Sequence, residues 1–127
     1  MVVFNTHFDH IGKQARFKSA ELIINKISKN IKDPLVLMGD FNCEVNDAPI
    51  TEIMKYLEDG KAVSKVNFEG PLGTFNGFNK NAVLDKRIDY IFTKGLNVLN
   101  YKHINDRIKN QNWPSDHLPV MIEISLN

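Results

Sequence analysis

Apolar and polar residues alternate along this chain in two periods, and the switches between them mark its elements. Val2 to Asn5 is a short β-branched and aromatic run that predicts a strand. From Gly12 to about Asn30 the period lengthens. Ala20, Ile23, Ile27 and Ile31 recur at helical spacing, leaving Lys13, Lys18, Glu21 and Lys29 for the solvated face. Asp33-Pro34 ends that helix, because a proline ring disfavours helical backbone in the residue before it. Leu35-Val36-Leu37-Met38 then reads as a buried strand stopping at Gly39. Asp47 is placed to cap a second helix, with Pro49 in its first turn, Ile50, Ile53, Met54 and Leu57 on one face, and Gly60 as the stop. Residues 70–81 are rich in Gly and Asn and predict a loop. Ile88 to Phe92, Val98 to Ile104 and Leu118 to Ile124 complete the strands. In the last, Leu118, Val120, Ile122 and Ile124 alternate with Pro119, Met121, Glu123 and Ser125.

Length and composition narrow this picture. A chain of 127 residues holds one domain with a modest core. With 43% hydrophobic and 24% charged residues it belongs with folded globular chains rather than disordered ones. A formal net charge of +1 supplies no general attraction for nucleic acid, so any such binding must rest on local placement. Cys43 is the single cysteine, which excludes an internal disulfide. No apolar run reaches membrane-spanning length. Met1 passes directly into a strand without lead-in, and the expectation is that the chain is the latter part of a longer domain.

The polar residues that carry chemistry collect where strands end. Asp40 and Asn42 close the apolar strand in Gly39-Asp40-Phe41-Asn42. Two apart on extended backbone, they point the same way and can hold a hard divalent ion and a substrate oxygen. A strand-terminal turn uses the same residue types and is the plainer reading. Ser115-Asp116-His117 precedes the last strand, setting a carboxylate beside the side chain best suited to proton transfer near neutral pH. A turn flanked by Pro114 and Pro119 explains it equally. Asp89, in Arg87-Ile88-Asp89-Tyr90, is either a surface ion-pair residue or the carboxylate that fixes the tautomer of His117. His7 and Asp9 follow the first strand and, if it stays extended, share a face.

Taken in order, Asn-Thr-His at 5–7, Gly-Asp-Phe-Asn at 39–42, Arg-Ile-Asp-Tyr at 87–90 and Ser-Asp-His at 115–117 resemble the motif series of the endonuclease/exonuclease/phosphatase family, which includes DNase I-like nucleases. Gly73-Thr74-Phe75-Asn76-Gly77-Phe78 resembles the loop that many members place beside the active site. By this resemblance His7 contacts phosphate, Asp40 orients or deprotonates the attacking water, and Asn42 binds a phosphate oxygen. Asp89 orients His117, which is the base or transition-state stabiliser. Asp116, with Asp40, belongs to the metal site for Mg²⁺ or Mn²⁺, and Asn76 and Phe78 meet the substrate. The chemistry implied is in-line attack of water on a phosphoester, whether nucleic acid, inositol phosphate or another.

The family's members are about twice this long, and their first half gives an Asn and a Glu to the principal metal. The resemblance therefore places residues 1–127 as the C-terminal half of such a domain. The fold implied is α+β: one mixed, largely antiparallel sheet with two helices on one face, half of a DNase I-like four-layer sandwich. The other face is expected to be open for the N-terminal half or for self-association.

Three other readings stand beside this one. Asn5-x-His7-x-Asp9-His10 followed by Gly12 is similar to the metallo-β-lactamase-fold zinc motif, with its first histidine replaced. That fold needs further histidines, of which only His103 and His117 are at hand. A non-catalytic remnant of the phosphoesterase family would keep the motifs without activity. Lys102, His103, Arg107 and Lys109 near Trp113 form a mildly basic stretch that a nucleic-acid-binding module could use, although neutral overall charge opposes it.

Overall fold

The computed structural model describes residues 1–30 and 32–126. Ile31 and the side chain of Lys29, both assigned above to the helix pattern, lie outside what it describes. Strand β1 (Val2–His7) leads into helix α1 (Lys13–Asn30), which crosses over to β2 (Leu35–Asp40) lying parallel to β1. Helix α2 (Ala48–Ile53), the two-residue strand β3 (Glu58–Asp59) and the single turn α3 (Gly60–Val63) follow. A long loop then reaches β4 (Asp89–Lys94), antiparallel to both β2 and β3, giving a four-stranded sheet in the order β1-β2-β4-β3. Strands β5 (Leu96–His103) and β6 (Val120–Leu126) pair antiparallel as a second, two-stranded sheet with a bulge between Val98 and Asn100.

The four-stranded sheet is apolar on both faces. Leu35, Leu37, Tyr90 and Phe92 face the helices, packing on Ala20, Ile24 and Ile27 of α1 and on Ile50 and Ile53 of α2. Ala20, Ile24 and Ile27 follow the i, i+4, i+7 rule, so the buried stripe runs through Ile24 and leaves Ile23 only partly covered. On the opposite face Val36 and Ile91 pack against Leu96 and Tyr101 of β5 and Val120, Ile122 and Ile124 of β6. Full burial of each such side chain contributes about 1.5–3 kcal/mol, so neither layer is dispensable.

The α+β class and the mixed sheet with helices on one face agree with the sequence reading, but three details differ. The strands do not form one sheet. Among the strands of the described residues β5 and β6 pair only with each other, and this pair covers much of the face expected to be open. What remains is a margin at β1, where Val3, in register with Val36, is 50% exposed near the chain's exposed Met1. Second, α2 ends at Ile53, not at Gly60. Asp47 sits at its N-cap, yet the Asp47 carboxylate accepts from the Glu44 N–H. Third, Gly60 opens α3 instead, behind Asp59, whose carboxylate accepts from the Lys61 N–H.

Two buried polar groups tie the layers together. The Arg87 guanidinium donates to both carboxylate oxygens of Asp59 at 2.6 and 2.7 Å and to the Tyr101 hydroxyl at 3.0 Å, and it lies over the Tyr90 ring. Burial alone would lower its pKa; the paired bond to Asp59 outweighs that and raises it. His103, only 2% exposed, donates from Nδ1 to the Pro71 carbonyl at 2.8 Å, while Nε2 has no hydrogen-bond partner among the described residues. Burial pushes its pKa down to about 4 from an ordinary 6.5.

This neutral histidine makes stability depend on pH. Between about pH 6.5 and 4 the unfolded chain binds a proton that the folded chain refuses, so stability falls as pH falls through that window. The expected loss is about 2–3 kcal/mol. Urea denaturation at pH 7 and pH 4.5 measures it, and His103→Asn, which keeps a donor toward Pro71 without titrating, should remove most of the difference.

Candidate active site

The register of the sheet brings the first three polar residues side by side. His7 is the partner of Asp40 across β1 and β2, and Asp40 is the partner of Asp89 across β2 and β4. In-register neighbours point to the same face, so three strand ends place their side chains in one row. Gly39 makes the approach possible. Its φ is +144°, and a Cβ there would lie 1.8 Å from the Thr6 carbonyl oxygen.

His117 closes the row from the far side. The Asp89 carboxylate accepts from its Nδ1 at 2.8 Å, which leaves Nε2 facing Asp40 Oδ2 at 3.8 Å. His7 Nε2 lies 3.3 Å from that same oxygen. Asp40 Oδ1 accepts from the Asn42 N–H at 2.8 Å, Asn42 being held at φ +48°. The Asn42 side-chain nitrogen donates to the Phe8 carbonyl at 2.8 Å, so one of its N–H groups and its carbonyl oxygen are what it can offer a ligand.

The segment of His117 is laced to the loop at 73–78. Asn76 is buried, donates from its amide to the Ser115 carbonyl, and accepts from the Phe78 N–H. The backbone N–H groups of Asn76 and Gly77 donate to the Asp116 carbonyl. Phe75 meets the His117 ring edge-on, with ring centroids 5.1 Å apart. Phe78 is exposed, at φ +59°. The Asp116 carboxylate receives the Ser115 hydroxyl at 3.4 Å and stands outside the nearest cluster of potential metal ligands.

Electrostatics follow from this crowding. Burial raises the Asp40 pKa, and the charge of Asp89 raises it further, against the Asn42 N–H and the two imidazoles. For His117 burial acts downward, but the bond to Asp89 and the charges of Asp89, Asp40 and Asp116 outweigh it, and the net shift is upward. Two carboxylates and an imidazole thus share a compact site, with ligand atoms of Asp40, Asp89 and His117 all within 4.8 Å of one another. A cleft of about 340 Å³ opens beside it between His10, Arg16, Asn42, Phe75, Lys86 and His117.

His7, Asp40, Asn42, Asp89 and His117 therefore come together as expected from sequence. Asp9 does not join His7: β1 ends at His7, and the Asp9 carboxylate turns to accept from the N–H groups of Ile11 and Gly12 ahead of α1. The zinc reading fails on geometry. His10 is exposed beside Asp9 and His103 is buried against Pro71, so the one cluster of potential ligands among the described residues contains a single imidazole. The basic stretch also disperses, because Arg107 stacks on Trp113 at 3.6 Å and His103 points inward. Sequence reasoning passed over Thr74, which is fully buried between the segments of Asp89 and His117. The resemblance marks the loop at 73–78, but nothing in its residues singles out this threonine.

Comparisons with known proteins bear on the fold and the family. The profile of the Endonuclease/Exonuclease/phosphatase family matches residues 3–117. No curated protein matches the chain. A solved structure of a functionally unknown conserved protein from Enterococcus faecalis V583 is 33% identical, with a TM-score of 0.90 over 98% of this chain and 50% of that one. An endonuclease/exonuclease/phosphatase family protein from Bacteroides thetaiotaomicron is 32% identical, with a TM-score of 0.88 over 98% of this chain and 49% of that one. A mannosyl-6-phosphatase from Bacteroides thetaiotaomicron VPI-5482 is also 32% identical, with a TM-score of 0.87 over 98% and 51%. The chain thus spans about half the length of the relatives it matches, and by its profile match and its fold it belongs to the endonuclease/exonuclease/phosphatase family.

Proposed function

We propose that this chain forms the part of a divalent-metal-dependent phosphoesterase site that handles the phosphate and the proton, hydrolysing a phosphoester by in-line attack of water. The observation that carries the reading is the run of Asp89, His117 and Asp40, one hydrogen bond and one short gap, in which two aligned strand ends meet the segment before β6. Asp40 orients the water and takes its proton. Its raised pKa, still that of a carboxylate, makes it a better acceptor than an exposed aspartate. His117, held by Asp89 and biased toward the imidazolium, stabilises charge as it develops on the phosphoryl oxygens. His7 and the remaining N–H of Asn42 face the same phosphate. Asn76 holds the loop from which Phe78 reaches the leaving group.

The donor set suits a hard divalent ion, Mg²⁺ or Mn²⁺, in part. Asp40 and Asp89 supply oxygen donors in a site whose crowded negative charge a cation would relieve, and Asp116 is near enough to raise the His117 pKa. Such an ion would offset negative charge on the phosphate oxygens. Two or three carboxylates are few for Mg²⁺, which favours a further contribution from the family's N-terminal half, packed at the β1 margin around Val3; self-association there is the alternative.

The likeness to a mannosyl-6-phosphatase favours a sugar phosphomonoester over a nucleic acid as substrate. The test is release of phosphate from a hexose 6-phosphate, with an oligodeoxynucleotide in parallel, at millimolar-range Mg²⁺ or Mn²⁺. Little turnover is expected from the chain alone, and clear turnover of the hexose phosphate once the N-terminal half of an intact relative is added. Cleavage of the oligonucleotide alone would overturn the substrate class. No turnover of either in the reconstituted protein would favour the non-catalytic reading.

A further inference from the structure

The bond between Asp89 and His117 joins two segments with no direct ladder between them: Asp89 opens β4, whereas His117 lies just before β6. A difference of half an ångström between these segments would turn a 2.8 Å hydrogen bond into a weak contact. The loop at 73–78 lies between the two. On one side the N–H groups of Thr74 and Phe75 donate to the Lys86 carbonyl; on the other the Leu118 N–H donates to the Thr74 carbonyl at 2.7 Å. Phe75 and His117 also form an isolated antiparallel bridge. Gly73 permits the close approach, since a Cβ there would lie 2.4 Å from the Lys86 nitrogen.

Within this brace one side-chain atom reaches the carboxylate's own residue. The hydroxyl oxygen of Thr74 accepts from the backbone N–H of Ile88 at 3.1 Å and of Asp89 at 3.2 Å. Thr74 is wholly buried, and valine in its place would fill the space without offering an acceptor. Its main chain is fastened beside His117 and its side chain beside Asp89. Arg87, one residue further back, is pinned separately to Asp59 and Tyr101, so the entry to β4 is fixed from both sides.

We propose that Thr74 is a positioning residue for the active site: its hydroxyl sets the start of β4 so that the Asp89 carboxylate meets Nδ1 of His117. This rests on the functional reading above only for its effect on catalysis; the geometry stands without it. Loss of the hydroxyl would leave two buried N–H groups unpaired and let the first residues of β4 shift to find partners. The imidazole would then lose the acceptor that holds its tautomer.

The experiment reads the imidazole directly. In proton NMR spectra of the chain, the Nδ1 proton of His117 should appear as a downfield resonance, assigned by its loss in Asp89→Asn. Thr74→Ser keeps the acceptor and should keep the resonance. Thr74→Val keeps the shape without the acceptor and should lose it, or raise its exchange with water at least tenfold, while circular dichroism still shows a folded chain. If the core rejects valine, Thr74→Ala at low temperature makes the same demand. In the reconstituted protein, kcat should drop about tenfold or more in Thr74→Val, with KM nearly unchanged and recovery in Thr74→Ser. An unchanged resonance in Thr74→Val, or its equal loss in Thr74→Ser, would overturn the proposal. Loss confined to Thr74→Val in a protein without hydrolysis would uphold the positioning and remove the functional reading instead.

Discussion

Replacing Arg87 with methionine is expected to lower stability by about 3–5 kcal/mol, enough to unfold much of the population of a domain this size. The cost arises less from the lost contacts than from what remains. Asp59, itself buried, would be left without the guanidinium bonded to both its oxygens, and the Tyr101 hydroxyl would lose its donor. The double variant Arg87→Met with Asp59→Leu removes both charges and should recover a large part of the loss, because a buried pair replaced as a unit is often close to neutral. Urea denaturation of the three proteins checks this. A single-variant loss below about 1 kcal/mol would mean that the pair is solvated in a way its burial does not indicate.

The second large effect concerns hydrolysis in the reconstituted protein. His117→Ala and Asp40→Asn should each lower kcat by on the order of 10²–10⁴-fold, the range for groups that move or steady a proton in the transition state. The two losses should not add, since both act through Asp40 Oδ2 and the space beside it. The pH profile carries the sign of the shifts. Asp40 must be ionised to accept a proton, and its pKa lies above 3.8, so activity falls on the acid side earlier than for an ordinary aspartate. His117 acts as the cation, and its pKa lies above 6.5, so activity falls again as pH rises through that higher value. A kcat within threefold of the parent in His117→Ala would end the role assigned to this imidazole.

Much of this architecture was legible in the residues because local rules and packing agree there. The apolar run at 35–38, the helical spacing through Ala20 and Ile27 and the alternation from Leu118 to Ile124 each became an element of the expected type, the last of them displaced to Val120–Leu126. The site residues were legible for a related reason: they sit at strand ends, where an Asp or His interrupts an apolar pattern. The misses have different causes. Asp47 takes the N-cap position but its carboxylate turns to the neighbouring Glu44 N–H, Gly60 follows the Asp59 cap into a separate turn, and the division into two sheets rests on long-range strand pairing that no single residue announces. Thr74 could not be singled out because its importance lies in four partners distant in sequence, Lys86, Ile88, Asp89 and Leu118.

The register that aligns His7, Asp40 and Asp89 also dictates when the site can exist during folding. β1 and β2 are parallel and separated by a whole helix, β4 joins them only after a long loop, and His117 arrives with the final strand. Each step closes a long stretch of chain before any contact rewards it, so this topology belongs with the slower-folding domains. Until those strands pair, the side chains of His7, Asp40, Asp89 and His117 are held apart by the chain between them. Because the bond from His117 to Asp89 joins β4 to the segment before β6, the imidazole of His117 reports whether both have reached their places.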